Sequence, residues 1–111
     1  SRMTRLARKQ NALYEAFIRE ELTKVSEDQN LSLSLLKKYD PFLRSELIRL
    51  WLADLSYAVP NESQMKEIQK SFFESRQDSN PVIKFNRDDD QSSGVIISKV
   101  NKFLIAEATN E

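Results

Sequence analysis

The sequence lacks cysteine and histidine and has a single glycine, Gly94. Without cysteine it forms neither disulfide bonds nor thiolate metal sites, which fits a reducing compartment and favours the cytoplasm. Without histidine it lacks the base that most often activates a nucleophile. Loops that cradle phosphate need several glycines, because their backbone N–H groups must approach the oxygens closely. These absences argue against catalysis or ATP binding within this chain.

Long apolar runs and an excess of charge of one sign are also missing. No run reaches the roughly 18 residues that span a bilayer, and the N-terminus has no apolar signal-peptide stretch, so we expect a soluble protein with no membrane partner. Seventeen basic residues balance seventeen acidic ones. Nucleic-acid-binding domains usually carry a strongly basic surface. The balance therefore argues against strong autonomous binding and leaves weak or assisted binding open.

The composition suffices for one hydrophobic core. The chain has 111 residues, of which 40% are hydrophobic and 31% charged, as in an ordinary globular domain. We predict a single domain, 1–111, made of a long linker-type helix (1–26), a helical core (27–76) and a β-meander (82–106). Because the chain starts inside a helical pattern, we expect it to be part of a longer polypeptide.

The first helix is indicated by apolar residues at steps of three and four from Met3 to Val25. At about 1.5 Å per residue its length is roughly 35 Å, so its first turns are expected to project away or to join a preceding domain. Those turns carry basic residues and no acid: Arg2, Arg5, Arg8 and Lys9. They are either a solvated helix end or a surface that contacts phosphates.

Two further helices are predicted by their caps. Asp40 and Pro41 begin one of them, because a carboxylate accepts from free backbone N–H groups and proline suits the first turn. That helix, 41–55, is apolar around more than half its circumference, so we place it at the centre of the core. Asn61 and Gln64 form a capping-box pair for the next helix, which is expected to end near Arg76. The predicted core residues are Leu47, Trp51, Leu52, Ile68 and Phe72.

The last third of the chain changes to β-branched and aromatic residues with polar breaks between them. Segments 82–85, 95–100 and 103–106 predict a three-stranded antiparallel meander, and "LSLSL" at 31–35 predicts a short extended piece before a helical turn. The fold class is therefore α+β. The triplet Asp88–Asp90 could hold Mg²⁺ or Ca²⁺, but adjacent acids on an extended chain point apart. We favour a solvated loop and predict no metal site.

Three segments, read in order, resemble a known family: "RKQNALYEAFIREEL", "LRSELIRLWLADLSYAVPNESQMKEI" and "SRQDSNPVIKF". They are similar to the central domain of tRNA(Ile)-lysidine synthetase (the TilS/MesJ family), and the similarity spans nearly the whole chain. Its most specific features are Arg49-x-Trp51-Leu52, Pro60 before a capped helix, and Arg76-x-Asp78-x-x-Pro81 before a strand.

The resemblance implies a substrate-recognition domain of a modular ATP-dependent ligase, which attaches lysine to the wobble cytidine of tRNA(Ile) with the CAU anticodon. In that family an N-terminal domain with an SGGxDS phosphate loop binds ATP, with Mg²⁺, and lysine. That motif is missing here, so no catalytic, cofactor or metal residue carries over. The implied partner is tRNA(Ile), the implied compartment is the cytoplasm, and a homodimer of the parent enzyme is left open.

Eight basic residues are the predicted tRNA contacts: Arg2, Arg5, Arg8, Lys9, Arg49, Arg76, Lys99 and Lys102. Arg76 has a structural alternative, because a pair with Asp78 would fix the angle at which the chain enters the first strand. A different class of function is also open. The neutral charge suits a protein-interaction or spacer domain, in which the first helix and the helix that contains Trp51 (41–55) dock neighbouring domains.

Overall fold

The computed structural model describes residues 2–74, 79–86 and 94–109, with the side chains of residues 2–6 excepted. The elements in chain order are α1 Arg2–Val25, β1 Ser26–Glu27, β2 Asn30–Ser32, α2 Leu33–Leu36, α3 Pro41–Asp54, α4 Glu62–Phe73, β3 Val82–Phe85, β4 Val95–Val100 and β5 Phe103–Ala108. The predicted α+β class is confirmed.

The strands form one antiparallel sheet in the order β1-β2-β5-β4-β3. The predicted meander is present as β3, β4 and β5, but the sheet has five strands because a hairpin, β1–β2, joins it through the pair Leu31 and Leu104. The polar run "SEDQN" at 26–30 ends the helical pattern of the first helix and does not itself predict strands. In the structure Asp28 and Gln29 have φ of 52° and 68°, the left-handed values that a two-residue hairpin turn requires.

The alternating "LSLSL" segment is extended for a shorter distance than its pattern predicts. β2 ends at Ser32, whose side chain accepts a hydrogen bond from the backbone N–H of Leu35 at 3.3 Å and so caps α2. Capping by a serine competes with continued strand pairing, because the hydroxyl satisfies a free helical donor. The predicted helical turn therefore starts at Leu33.

Helix α3 lies at the centre of the core. Asp40 Oδ1 accepts from the backbone N–H of Leu43 at 2.8 Å, and Pro41 occupies the first turn. All five predicted core residues are buried, and Trp51 exposes only 3% of its surface. The Trp51 indole N–H donates to the backbone carbonyl of Gln29 at 2.8 Å. This hydrogen bond joins α3 to the turn between β1 and β2.

Helix α4 begins as its sequence predicts and ends earlier. Asn61 and Gln64 form both hydrogen bonds of the capping box, at 2.8 and 2.9 Å. The helix ends at Phe73, before Arg76, which lies outside the described residues together with Asp78.

Helix α1 packs on α3 only through its C-terminal half. Among the described side chains of α1, Ile18 is the first that is buried, whereas those of residues 7–17 are exposed. Arg19 makes two hydrogen bonds to Asp54 of α3, at 3.0 and 3.3 Å. The N-terminal turns thus extend beyond the core, in keeping with the length of the helix.

Helix α3 ends in a left-handed residue that is not glycine. Ser56 has φ of 64°, the Tyr57 N–H donates to the Leu52 carbonyl, and the Ser56 N–H donates to the Ala53 carbonyl, both at 3.0 Å. This pattern is the Schellman motif, in which glycine is the preferred residue at the left-handed position because a Cβ is strained there.

Replacing Ser56 with glycine should therefore stabilise the fold. Ser56→Gly removes the roughly 1–2 kcal/mol strain of a Cβ at a left-handed residue, and the larger chain entropy of glycine offsets about 0.5–1 kcal/mol of it. We therefore expect the free energy of unfolding to rise by up to about 1 kcal/mol, measured by urea denaturation with Trp51 fluorescence. The matched control, Ser56→Ala, retains the Cβ and should bring no gain. Equal stability of the two variants would contradict backbone strain at Ser56.

Substitutions of Trp51 should separate its packing from its hydrogen bond. Trp51→Ala should cost about 3–5 kcal/mol because it empties a large part of the core. Trp51→Phe keeps most of the apolar volume and removes the bond to Gln29, so a cost nearer 1 kcal/mol is expected. Urea melts followed by circular dichroism measure both. If Trp51→Ala melts like the wild type, the tryptophan is not part of the core.

Candidate nucleic-acid interface

The most basic segment of the chain is the N-terminal end of α1, which we call the basic arm: Arg2, Arg5, Arg8 and Lys9. The backbone of all four is helical, and the described side chains, Arg8 and Lys9, are exposed. Steps of three and four residues place the four positions on one side of the helix. This arrangement can present several cations to a line of phosphates.

Arg49, another predicted contact, is partly covered by neighbouring residues of the domain. Its Nη1 is 3.3 Å from Oε2 of Glu46, which lies one turn earlier in α3, and the two side chains form an ion pair. Its Nε lies 3.5 Å from the Pro60 carbonyl oxygen. The side chain is half-buried. Arg49 therefore holds the connector before α4 and keeps part of its charge matched.

The remaining predicted contacts lie apart from the basic arm. Lys102 is exposed in the two-residue turn between β4 and β5, where its carbonyl accepts from the Leu33 N–H at 2.9 Å. Lys99 is half-buried in β4, opposite Leu104, and has an interaction of its own. Arg76 and the triplet Asp88–Asp90 fall outside the described residues.

A groove between α3 and α4 brings together residues that were not among the predicted contacts. This α3–α4 groove has a volume of about 550 Å³ and is lined by Pro41, Phe42, Ser45, Arg49, Glu62, Met65, Lys66, Gln69, Lys70 and Glu74. The two helices run antiparallel, since Gln69 Nε2 donates to the Pro41 carbonyl at one end and Arg49 faces Pro60 at the other.

The floor of the α3–α4 groove is held by a hydrogen-bonded glutamine. Gln69 is buried, and its Nε2 donates to the Pro41 carbonyl at 2.8 Å and to Ser45 Oγ at 2.9 Å. Arg44 donates to Gln69 Oε1 at 3.2 Å and lies 4.7 Å from the centre of the Phe73 ring. A buried amide with its partners in place fixes the distance between the two helices.

Two features of the sequence bear on this groove. Phe42 directly follows the first-turn proline and falls outside the apolar stripe of α3, and it is 64% exposed. Lys66 and Lys70 stand four residues apart on the exposed side of α4. Neither feature shows that the two helices are neighbours, so the groove itself was not predictable.

A second groove, between α1 and α3, has a volume of about 520 Å³ and contains a tyrosine with a shifted pKa. The Tyr14 hydroxyl donates to Glu46 Oε1 at 2.9 Å. Partial burial, followed by this hydrogen bond and the charge of Glu46, raises the pKa of Tyr14 to about 12. Glu46 thus links Tyr14 of α1 to Arg49 of α3.

A similar contact joins α1 to Tyr39. The Tyr39 hydroxyl donates to Glu21 Oε1 at 2.8 Å, and Lys24 lies 2.9 Å from Glu21 Oε2. Hydrogen bonds from Lys24 and Tyr39 lower the pKa of Glu21, while partial burial and Glu21 raise the pKa of Tyr39. These contacts fix the C-terminal half of α1 and leave the basic arm projecting.

Alkaline titration should detect the Tyr14–Glu46 contact. Because folding raises the pKa of Tyr14 from 10.0 to about 12, its contribution to stability is complete below pH 10 and is lost as the pH rises through 12. Glu46→Gln should lower the ionisation midpoint of Tyr14 in an ultraviolet titration of tyrosinate, with Tyr14→Phe assigning the transition. An unchanged midpoint in Glu46→Gln would contradict the contact.

Within the described residues no group of three or more acidic side chains is arranged to hold a metal ion. In the same part of the chain, no helix combines the length and the hydropathy that a bilayer crossing requires.

The helices and the antiparallel sheet make this chain an α+β domain with exposed cations and two open grooves. A family model described as the TilS substrate binding domain matches residues 31–88, a little over half of the chain. The chain therefore belongs to the TilS substrate-binding-domain family, as the resemblance in its sequence indicated.

Two relatives that match the chain are both tRNA(Ile)-lysidine synthases. The protein from Vibrio vulnificus (strain CMCP6) is 33% identical over 61 residues, which is 55% of this chain and 14% of the relative. The protein from Haemophilus ducreyi (strain 35000HP) is 30% identical over 77 residues, 68% of this chain and 18% of the relative. The matched stretch is thus under a fifth of either relative.

Proposed function

We propose that this chain is the tRNA-recognition domain of a tRNA(Ile)-lysidine synthase. The parent would be an ATP-dependent ligase of the cytoplasm that attaches lysine to the wobble cytidine of tRNA(Ile) with the CAU anticodon. The observation that carries this proposal is the family match over residues 31–88, together with the names of the two relatives.

In this proposal the chain binds and positions tRNA, and another domain of the parent performs the chemistry. ATP, with Mg²⁺, and lysine are bound by that other domain. Two observations support the division of labour. The chain has one glycine and no histidine, and most of each relative lies outside the stretch that matches this chain.

Binding is proposed to rest on phosphate contacts, which position the RNA without reading its sequence. The basic arm is the best placed surface, because Arg8 and Lys9 are exposed and the arm projects from the core. Lys102 is exposed on a separate turn. Arg49 is paired with Glu46, so a phosphate would have to share the guanidinium with that carboxylate or displace it. The neutral net charge of the chain predicts modest affinity, strengthened by neighbouring domains.

A second candidate function is the docking of a neighbouring domain, and exposed apolar side chains favour it. Leu13 is 73% exposed on α1. The sheet face turned away from the helices, which we call the outer face, also carries apolar residues: Val82, Ile96, Val100, Phe103 and Ile105. Antiparallel sheets that face water usually alternate with polar residues there. A partner domain would cover such a face.

Removing charge from the basic arm distinguishes the two candidates. We expect Arg8→Gln with Lys9→Gln to weaken binding of tRNA with the CAU anticodon. The plot of log affinity against log salt concentration should become shallower by about 0.7–0.9 for each phosphate that the variant no longer neutralises. The matched control, Lys37→Gln with Lys38→Gln, removes the same charge from exposed residues outside the basic arm and should bind as the wild type does. Binding is measured by fluorescence anisotropy at several salt concentrations.

Other outcomes of this experiment contradict the proposal. Affinity for tRNA that does not change with salt would exclude recognition through phosphates. Unchanged tRNA affinity combined with a lower Tm in a parent protein carrying the arm substitutions would support docking instead.

A further inference from the structure

We propose that the α3–α4 groove binds one unstacked nucleotide of the tRNA, with its base on the Phe42 ring and its phosphate between Lys66 and Lys70. This inference rests on the proposed function and extends it to a site within the segment that matches the family model. Every residue lining the groove lies between positions 31 and 88, whereas the basic arm, Lys99 and Lys102 lie outside that segment.

Phe42 has the properties of a stacking platform. The ring is 64% exposed and takes no part in the hydrophobic core. It lies in the first turn of a helix whose start is fixed by the Asp40 cap and by Pro41, so its backbone is held rigidly. Nucleobases stack on exposed aromatic rings in proteins that bind single-stranded RNA.

Lys66 and Lys70 supply the charge that a phosphate requires. They are one turn apart on α4, about 6 Å along its axis, and both are exposed. The ion pairs found in the described residues are Arg19–Asp54, Lys24–Glu21 and Arg49–Glu46. Within those residues, therefore, neither lysine is paired with a carboxylate, and both remain available to a phosphate.

Two acids limit the size of the occupant. Glu62 and Glu74 line the two ends of the groove, about 18 Å apart along α4. An RNA strand lying along the whole groove would bring phosphates against these carboxylates. A single nucleotide stacked on Phe42, at the end of the groove that faces Gln69, reaches the lysines and the polar floor, borders Glu74 and stops short of Glu62.

The floor of the groove is formed before any ligand arrives. Ser45 and Gln69 are hydrogen-bonded to each other at 2.9 Å and to the Pro41 carbonyl at 3.0 and 2.8 Å. Met65 is buried beneath them. Binding would therefore need little rearrangement of the two helices, so that more of the contact energy remains as affinity.

The test uses the complete chain and tRNA with the CAU anticodon. Phe42→Ala should lower the affinity about 5- to 150-fold, the range for loss of one stacked base, with no change in Tm because the ring is exposed. The matched control is Phe17→Ala, which removes a 46% exposed phenylalanine from α1 and should leave the affinity unchanged. Lys66→Gln with Lys70→Gln should weaken binding and make its salt dependence shallower.

A stacking-competent variant provides an independent readout. Phe42→Trp should retain the affinity of the wild type, and the introduced indole should be quenched when tRNA binds. The wild type provides the reference, since Trp51 is buried and should change little. Photo-crosslinking with tRNA containing a photoreactive uridine should then label the peptide that carries Phe42.

The outcomes separate this inference from the proposed function. Binding that is weakened by the arm substitutions but is unaffected by Phe42→Ala, with crosslinks only elsewhere, would overturn the nucleotide site and leave the tRNA-binding function standing. No detectable binding of tRNA by the wild type, even at low salt, would contradict both.

Discussion

The rest of the structure depends on the burial of helix α3. Its residues Leu47, Ile48, Trp51 and Leu52 are all buried, and a helix that is apolar around most of its circumference must be covered on several sides. Helix α1 covers one side and is held there by Arg19 and Asp54. The sheet meets another side, where the Trp51 indole bonds to the β1–β2 turn. Helix α4 covers a third side and is held by Gln69.

This central position allows α3 to serve stability and recognition at once. The side of α3 that faces the core consists of buried apolar side chains. The first turn of α3, together with Ser45 and Arg49, borders the α3–α4 groove. Burial fixes the backbone, so the exposed Phe42 ring is presented on a rigid element. A chain without net charge can still present local clusters of cations where these make no ion pair with the acids near them. Those clusters are on the projecting arm and on α4, where acids are not paired with them in the described residues.

Much of this architecture could be predicted from the sequence, because caps and periodicity are local signals. Asp40–Pro41 and Asn61–Gln64 mark helix starts through hydrogen bonds within a single turn, and the turn at Asn101–Lys102 follows from two flanking β-branched or aromatic segments.

The β1–β2 hairpin could not be predicted, because its polar residues gain strand geometry only by pairing with β5. The grooves could not be predicted either, because each requires two helices that are distant in the sequence to pack side by side. Arg49 shows the same limit: its residue type indicated a phosphate contact, whereas its partners Glu46 and Pro60 emerged only from the fold.

An NMR titration of the isotopically labelled chain with tRNA would show which surface the RNA occupies. If the exposed side of α3 and the facing side of α4 form the recognition surface, the largest amide shift changes should occur in residues 41–49 and 62–74. We expect further changes in the basic arm and only small ones at the outer face of the sheet. Shift changes confined to the outer face, with α3 and α4 unaffected, would contradict recognition through these two helices.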